Sequence, residues 1–387
     1  MRVLTLLFTY IRPEHTKRVL EGLENCINKP DQFRIVHDGL KKRDDPSAWS
    51  RVDDEIRSVS WCKPEIVINP KNKGLSATII EQVTRAFEEY DAVIVLEDDC
   101  VPATVFFDFI CDALHKYKDN EKVWCVSGYS WPIGLSRSSD DDAYACGRVS
   151  TWGWATWKNR WQKYKKDWTI VERLRSTSEG SVLLDTWGSD LDDMIKATAA
   201  GYNDSWAVHW ALEVIENQGC YINPYESLVE NIGFDGSGTN CTAIEIDSKE
   251  NVAGVSYKKT GGFKFPDSVE FSQQVKKCFS AYMGSRVVNH VRDICKPDIV
   301  VYGAGMLYRE KEEQILSRYN IVLYIDNGKK GFYGGVRIES LEMFDYSAVR
   351  DSIVGIVIMV RKLTEKEKVK NELINNKGVD KESFIEI

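Results

Sequence analysis

The 387-residue sequence contains no long apolar run, and none of its stretches reaches the 18 or so residues that a membrane-spanning helix requires. The longest apolar stretches, 92–96 and 353–360, have the length of strands. The apolar start at 3–8 lacks the small-residue cleavage site of a signal peptide, so we interpret it as a buried strand. We therefore expect no transmembrane segment.

Cysteine spacing and net charge argue against further classes of protein, namely zinc-binding, disulfide-rich and nucleic-acid-binding proteins. The ten cysteines form no C-x-x-C pair and the five histidines are dispersed, so neither zinc binding nor a disulfide framework is indicated. Scattered thiols are typical of a reducing compartment, and a cytoplasmic location is expected. The net charge of -8 argues against nucleic acid as a partner, because duplex binders are normally basic.

The length suggests more than one domain. Apolar segments alternate with helical patterns in the first part, which predicts an α/β fold with a mostly parallel sheet. The expected strands are 3–8, 33–36, 65–68 and 92–96. A second α/β pattern begins at 297. We therefore predict a first domain over 1–245, a helical connecting segment over 246–296 and a small domain over 297–387.

Three carboxylates, Glu97-Asp98-Asp99, follow the apolar strand 92–96 directly. In open α/β sheets, ligands bind at the carboxyl ends of strands, where carboxylates can hold Mg²⁺ or Mn²⁺ and through it a diphosphate. An acidic turn capping a helix over 102–117 explains an isolated E-D-D about equally well. Asp38, in His37-Asp38-Gly39, also follows a strand, although Asp-Gly is a common turn pair.

Together these segments resemble the GT-A glycosyltransferases, in particular the family of N-acetylglucosaminyltransferase I and related bacterial enzymes. The E-D-D corresponds to the form that the D-x-D motif takes in that family. Further similar segments, in the same order as in the family, are 9–13 (TYIRP), 71–76 (KNKGLS), 123–127 (VWCVS), 152–154 (WGW) and 203–206 (NDSW). The resemblance covers residues 1–245 and implies a GT-A domain.

The resemblance implies a role for each matching residue. Asp99 would bind the metal, Mn²⁺ or Mg²⁺, and Glu97 and Asp98 would contact ribose or sugar hydroxyls. Arg12 and Asp38 would hold the nucleotide. The other positions expected to bind the nucleotide-sugar are Thr9, Lys73, Gly74 and Trp154.

The general base is open between two acids. Asp204 corresponds to the base of the family's D-x-W element, but Asn203 stands before it where the family has an aromatic residue. Glu213, on an expected helix just beyond, is the rival. With either base, the expected reaction is a single displacement with inversion at the anomeric carbon.

The implied activity is metal-dependent transfer of a sugar from a nucleotide-sugar donor, with UDP favoured by resemblance. The acceptor would be a hydroxyl of a glycan or lipid-linked saccharide in bacterial surface polysaccharide synthesis. The glycine-rich stretch 231–239 resembles the family's donor-closing loop, although a plain surface loop is the alternative. The basic-aromatic stretch 158–168 suits peripheral membrane contact, although a solvated helix face explains it as well.

The second α/β unit imitates a dinucleotide fingerprint, with Gly303-Ala304-Gly305 after a strand and Asp326 some twenty residues on. The third glycine is missing, because bulky residues occupy 306–308. We expect a Rossmann-like module for docking or oligomerisation, similar to those appended to bacterial sugar-modifying enzymes. The alternative functions are an NAD(P)-dependent sugar-modifying oxidoreductase and a non-catalytic nucleotide-sugar binding protein.

Overall fold

A computed structural model describes residues 1–135, 137, 140–187, 191–201, 203–233, 262–286, 296–329, 331–333 and 336–386. The chain divides into two compact units, the first comprising Met1–Gly188 and Ser205–Tyr282 and the second Ser189–Asp204 and Met283–Ile387. The predicted boundary at 245 lies outside the described residues. Residues 262–282, expected in a separate connecting segment, instead belong to the first unit, because Phe263, Phe265 and Val269 pack on its core.

The elements up to residue 286 are β1 (Val3–Thr9), α1 (Pro13–Asn25), β2 (Phe33–His37), α2 (Pro46–Arg57), β3 (Glu65–Ile68), α3 (Leu75–Ala86), β4 (Ala92–Glu97), β5 (Cys100–Pro102), α4 (Phe106–Tyr117), β6 (Val123–Ser127), β7 (Ala143–Cys146), β8 (Trp154–Trp157), α5 (Lys158–Trp161), α6 (Thr169–Arg175), α7 (Ser178–Thr186), α8 (Leu191–Ala199), α9 (Trp206–Glu216), β9 (Cys220–Pro224), β10 (Val229–Asn231) and α10 (Gln273–Arg286). Those that follow are β11 (Asp298–Tyr302), α11 (Met306–Leu316), β12 (Asn320–Ile325), β13 (Gly331–Tyr333), β14 (Val336–Glu339), β15 (Gly355–Ile358), α12 (Leu363–Lys377) and β16 (Phe384–Ile385). Short 3₁₀ turns lie at Tyr346–Ala348, Arg350–Ser352 and Lys381–Ser383.

The first unit is built on an eight-stranded sheet in the order β3-β2-β1-β4-β8-β6-β9-β7. The first four strands are mutually parallel, β8 runs antiparallel to β4 and β6, and β7 runs antiparallel to β9. The prediction of an α/β fold with a largely parallel sheet is confirmed. Its assignment as a GT-A fold stays a prediction.

The central strands β1 and β4 form because their residues are mostly apolar, as expected for parallel strands covered on both faces. Within β1, every residue from Leu4 to Thr9 is buried, and β4 is buried from Ala92 to Leu96. The following helix α1 begins with Pro13, whose fixed backbone suits the first helical position. The register Phe8↔Glu97 therefore brings the ends of β1 and β4, and the loops after them, to one edge of the sheet.

A two-stranded sheet extends this edge. Strands β5 and β10 pair antiparallel, with Asn231 opposite Cys100. The residues after β10 therefore lie beside the acidic residues that precede β5.

The second unit contains a six-stranded sheet in the order β13-β14-β12-β11-β15-β16. In this order, the neighbouring strands β14, β12, β11, β15 and β16 are all parallel to one another, whereas β13 runs antiparallel to β14. This agrees with the predicted second α/β pattern, although the Rossmann-like assignment stays a prediction. Helix α8 also belongs to this unit and packs against β13. No helix in the described part of the chain is long and apolar enough to cross a membrane.

Candidate active site

The candidate site lies at the carboxyl ends of β1 and β4 in the first unit. Arg12 is the N-cap residue of α1, directly after the loop that leaves β1. Asp98 and Asp99 occupy the tight turn between β4 and β5. The backbone after β10 closes over this turn, because the Ile232 N–H donates to the Asp99 carbonyl at 2.9 Å.

An ion-pair cluster joins the two loops. The Arg12 Nη2 atom donates to Asp99 Oδ2 at 2.8 Å and also to Asp98 Oδ1. These side chains retain only 16% exposure for Arg12, 7% for Asp98 and 14% for Asp99. Burial opposes the charge of Arg12, but the neighbouring charges of Asp98 and Asp99 raise its pKa overall. The sequence prediction that Arg12 and these acids share a site is therefore consistent with the geometry.

The acidic turn carries more negative charge than Arg12 neutralises. Asp98 Oδ2 is buried and accepts no hydrogen bond from any residue that the structure describes. Burial raises the pKa of Asp98, and Arg12 partly opposes this shift. Burial also raises the pKa of Glu97, with further increases from the charges of Asp99 and Asp98. A cationic or hydroxyl-bearing ligand would relieve this cost.

The helix-capping alternative for the acidic turn is wrong. The helix expected to begin at 102 begins at Phe106, and its N-cap residue, Val105, makes no side-chain capping bond. The strand β5 intervenes between the acids and the helix. The three carboxylates are therefore not needed to start α4.

The site fits a hard divalent cation that takes only part of its ligands from the protein. Carboxylate oxygens suit Mg²⁺ and Mn²⁺, which commonly bind through one or two carboxylates together with substrate phosphates. Within the described ranges, no group of three or more His, Cys, Asp or Glu side chains is arranged to hold a metal. Asp99 and the unpartnered Asp98 Oδ2 supply carboxylate ligands of the right kind.

Asp38 lies at the end of β2 and fastens three loops together. Its carboxylate accepts hydrogen bonds from Asn69 Nδ2 at 2.9 Å and from the Gly39 and Gly74 N–H groups, each at 3.0 Å. The Lys73 N–H is shared between both oxygens at 3.1 and 3.2 Å. These bonds fill the acceptor positions of a carboxylate. The predicted direct contact between Asp38 and a nucleotide stays untested, and the observed bonds give it a role in the loop structure.

The other loop positions have defined environments. Thr9 is buried, and its hydroxyl lies 3.0 Å from His37 Nδ1. Gly74 has a φ of +80°, which favours glycine, at the N-cap of α3. The Lys73 ammonium forms an ion pair with Glu81 at 2.6 Å on the surface. Lys73 and Gly74 thus belong to the Asp38 network, and no contact described for them joins them to Asp98 or Asp99.

The expectation that Trp154 lines a pocket is wrong. Trp154 is 0% exposed and stacks on Trp206 with ring centroids 5.0 Å apart. The reason is that β8 is an interior strand and the Trp154 ring is packed against Trp206 and, at 5.9 Å between ring centroids, against Trp161. Trp152, which precedes β8, is partly exposed and contacts Tyr129 edge to face.

The two candidate bases differ in environment. Asp204 is exposed and directly precedes Ser205, whose hydroxyl caps α9. Asp204 belongs to the segment that is grouped with the second unit. Glu213 is buried on α9 in the first unit. Burial, and then the charge of Glu216, raise the pKa of Glu213 to about 7. No contact described for Glu213 joins it to the Arg12 cluster.

Several residues at this edge were missed by the sequence analysis. Gly233 lies so close to the cluster that a Cβ atom there would come within 2.3 Å of Asp99 Oδ2. Asn231 fixes this glycine by accepting its N–H at 2.8 Å, and His15 Nε2 lies 3.1 Å from the Ile232 carbonyl. The sequence resemblance predicted that 231–239 is a donor-closing loop but gave no contact of its residues with the acidic turn, and residues 234–239 lie outside the described ones.

The glycine loop after β11 in the second unit is hydrogen-bonded to Asp326, which directly follows β12. The Ala304 N–H donates to Asp326 Oδ2 at 3.0 Å, and the Gly328 N–H donates to Asp326 Oδ1 at 2.8 Å. Gly303 has a φ of +88° and packs on the Met359 backbone. Asp326 and the glycine loop thus lie together, as the fingerprint pattern predicts. However, the Asp326 carboxylate itself accepts the hydrogen bond of the Ala304 N–H.

Comparisons with known proteins give only distant likenesses. No family model and no curated protein sequence matches the chain. Among solved structures, it is similar to mannosyltransferase PcManGT from Pyrobaculum calidifontis in complex with GDP-Man and Mn²⁺, at 14% identity, TM-score 0.31, over 48% of this chain and 51% of that one. It is also similar to S. aureus TarS 1-349 in complex with UDP-GlcNAc, at 9% identity, TM-score 0.35, over 59% and 57% of the two chains.

A third likeness is to glucosyl-3-phosphoglycerate synthase from Mycobacterium tuberculosis in complex with Mn²⁺, UDP and phosphoglyceric acid. It has 14% identity and a TM-score of 0.23, and it covers 33% of this chain and 42% of that one. In all three cases the match spans less than two thirds of the solved structure. At such TM-scores these likenesses carry no argument about the fold or activity of this chain.

Proposed function

We propose that this chain is a metal-dependent glycosyltransferase that moves a sugar from a nucleoside-diphosphate sugar to a hydroxyl of a saccharide acceptor. The single observation that carries the proposal is the half-neutralised acidic turn. Asp98 and Asp99 lie together at the end of a buried parallel strand, they share one arginine, and Asp98 Oδ2 has no partner among the described residues. Such a turn suits a cation that arrives together with an anionic ligand.

The leaving diphosphate determines what the site must supply. A divalent metal held by Asp99 would act as a Lewis acid on the phosphate oxygens and stabilise the developing charge. Arg12 lies on the same carboxylate and carries a positive charge that its neighbours reinforce. Its guanidinium suits bidentate binding of phosphate oxygens. Glu97 and Asp98 would accept hydrogen bonds from sugar or ribose hydroxyls.

The nucleotide would bind along the loops that follow β1, β2 and β3. Here Asp38 acts as a positioning residue, because its carboxylate fixes the Lys73–Gly74 backbone and the Asn69 side chain. Its anionic oxygens also occupy N–H groups at the start of α3, where a phosphate would otherwise be attracted. The diphosphate therefore goes to the Arg12 and Asp99 side of the edge. A uridine nucleotide is favoured by the sequence resemblance.

For the acceptor step we propose inversion, with Asp204 as the base and Glu213 as the rival. Asp204 is exposed to an incoming acceptor, whereas the raised pKa of Glu213 would suit proton transfer near neutral pH. The partly exposed Trp152 replaces Trp154 as the ring available for stacking on a sugar. Loss of turnover in Asp204→Asn but not in Glu213→Gln supports the first assignment, and the reverse supports the second.

The setting of the reaction follows from the same proposal. The acceptor would be a glycan or lipid-linked saccharide of a bacterial surface polysaccharide, made on the cytoplasmic side. The basic stretch 158–168 follows β8, which ends at Trp157 opposite Ala92, at the edge far from Asp99. Membrane contact through this stretch would leave the site edge turned away from the lipid. For the second unit we propose docking or self-association.

The test is donor turnover. The purified chain is incubated with UDP-, GDP- and CDP-linked hexoses and N-acetylhexosamines plus Mn²⁺, and release of nucleoside diphosphate by slow transfer to water is followed. We expect release from one nucleotide class, abolished by EDTA and by Asp99→Asn. The matched control is Asp91→Asn, at the opposite end of β4, which should retain turnover. Equal release in Asp99→Asn, or no release from any donor above the EDTA control, would contradict the proposal.

A further inference from the structure

We infer that Arg12 acts as a built-in counter-cation that couples divalent metal binding at Asp99 to the presence of a diphosphate. The inference rests on the proposed function and deepens it, because it states how the same site orders its ligands. In this view the metal does not bind appreciably to the acidic turn alone. It binds when an anionic ligand releases the guanidinium from the carboxylates.

The ion pairs place Arg12 where a free metal would have to compete. One nitrogen, Nη2, bonds both Asp98 Oδ1 and Asp99 Oδ2, the latter at 2.8 Å. A cation that used Asp99 Oδ2 would therefore have to displace the guanidinium. Two cations cannot share one carboxylate oxygen without strong repulsion at such short separation.

The surroundings make displacement of Arg12 alone unfavourable. Only 16% of its side chain is exposed, so a displaced guanidinium would remain largely buried without a partner. The Gly233 backbone lies close to the guanidinium, because a Cβ atom added at that residue would lie 3.1 Å from Arg12 Nη1. The backbone segment that contains Gly233 is fixed here by the Ile232 N–H, which donates to the Asp99 carbonyl at 2.9 Å. Arg12 therefore leaves the carboxylates only when another anion accepts it.

A diphosphate meets that requirement. Its oxygens match the guanidinium geometry, and they also supply metal ligands that the protein does not provide within the described residues. Once Arg12 moves, Asp98 Oδ1 and Asp99 Oδ2 become available beside the already unpartnered Asp98 Oδ2. Metal and nucleotide then each strengthen the binding of the other by the same factor, as linkage requires.

The experiment measures Mn²⁺ binding to the full chain by electron paramagnetic resonance, with and without nucleoside diphosphate, and requires no turnover. In the native chain, nucleotide should raise Mn²⁺ affinity by about tenfold or more, within the usual range for coupled sites. In Arg12→Gln, Mn²⁺ alone should bind at least about tenfold more tightly than in the native chain. Nucleotide should then raise Mn²⁺ affinity by a smaller factor than in the native chain, and the remaining effect comes from direct ligation of the metal by phosphate. Arg18→Gln is the matched control, because Arg18 lies on the same helix in an exposed pair with Glu230. It should behave like the native chain.

The outcomes separate this inference from the proposed function. If the native chain binds Mn²⁺ equally well with and without nucleotide, or Arg12→Gln binds free Mn²⁺ no better than the native chain, the coupling role of Arg12 is wrong while the glycosyltransferase proposal stands. If no nucleotide binds to the native chain, both are wrong. Should Arg12→Gln fail to fold by circular dichroism, Arg12→Lys keeps the charge and loses the planar fork, and it should show intermediate coupling.

Discussion

The carboxylate of Asp38 offers the sharpest test of how the site edge is held together. In Asp38→Asn, one carboxylate oxygen becomes an amide NH₂ group, whereas the groups around it are all donors. Those donors are the N–H groups of Gly39, Lys73 and Gly74 and the amide of Asn69, at distances from 2.9 to 3.2 Å. Whichever way the new amide turns, its donors face at least one N–H group that has lost its acceptor.

The expected loss follows from the bonds that cannot be remade. A buried donor without a partner costs about 1–3 kcal/mol, and bonds to a charged acceptor are the stronger ones. If two of the four donor groups lose their partner and the loop relaxes in part, we expect a fall of about 3 kcal/mol in the free energy of unfolding. Asp45→Asn, at the N-cap of α2, is the matched control and should cost less than about 0.5 kcal/mol, because Asn caps helices as well as Asp does.

The assay is urea-induced unfolding of both variants beside the native chain, followed by nucleotide binding to the folded fraction. As a positioning residue, Asp38 should affect UDP, GDP and CDP binding alike when it is replaced. An Asp38→Asn variant that keeps stability within about 1 kcal/mol of the native chain, but loses binding of one base only, would refute this reasoning. It would restore the direct nucleotide contact that the sequence resemblance implies.

Three further predictions concern packing and protonation. Gly233→Ala should lower the free energy of unfolding in urea by about 1–3 kcal/mol and weaken metal–nucleotide binding, because its Cβ collides with Asp99. Gly262→Ala is the control, because an added Cβ meets no described atom within 4 Å, and it should change neither quantity. Trp154→Ala should lower the free energy of unfolding by about 3–5 kcal/mol, because it removes a fully buried ring from the core. A Trp154→Ala variant that is as stable as the native chain but has lost turnover would contradict the core role. Because the pKa of Glu213 is raised to about 7 when folded, its protonated form favours folding, so stability should fall as pH rises from about 4.5 through about 7. After allowance for solvent screening, we expect the free energy of unfolding to differ by about 1–2 kcal/mol between about pH 5 and about pH 8, as measured by unfolding at each pH. The difference should be absent in Glu213→Gln, and identical pH profiles of the two proteins would show that Glu213 is not its cause.

Much of the sheet was predictable because parallel strands have a simple signature. The apolar runs of β1 and β4 predicted buried strands, and the acids after β4 predicted where polar groups would gather. The start of α1 at Pro13 also follows from local chemistry. These features depend on neighbouring residues in the chain, so the sequence contains them directly.

The remainder depends on contacts between residues far apart in the chain. Nothing near Trp154 indicates that β8 inserts antiparallel between β4 and β6, or that Trp206, some fifty residues later, packs on its ring. Pairing of β5 with β10 brings Gly233 onto Asp99, more than a hundred residues away in sequence. Likewise, the bonds of Asp38 to Lys73 and Gly74 are visible only when β2 and β3 lie side by side.

Calorimetric titration with UDP, GDP and CDP, in the presence and absence of Mn²⁺, tests the central claim most directly. It is performed on the native chain, on Asp99→Ala and on the Asp91→Asn control. The account predicts metal-dependent binding of one nucleotide class to the native chain and the control, lost in Asp99→Ala. Binding that is indifferent to both Mn²⁺ and Asp99, or no binding of any nucleotide, would contradict the assignment of this edge as a metal and diphosphate site.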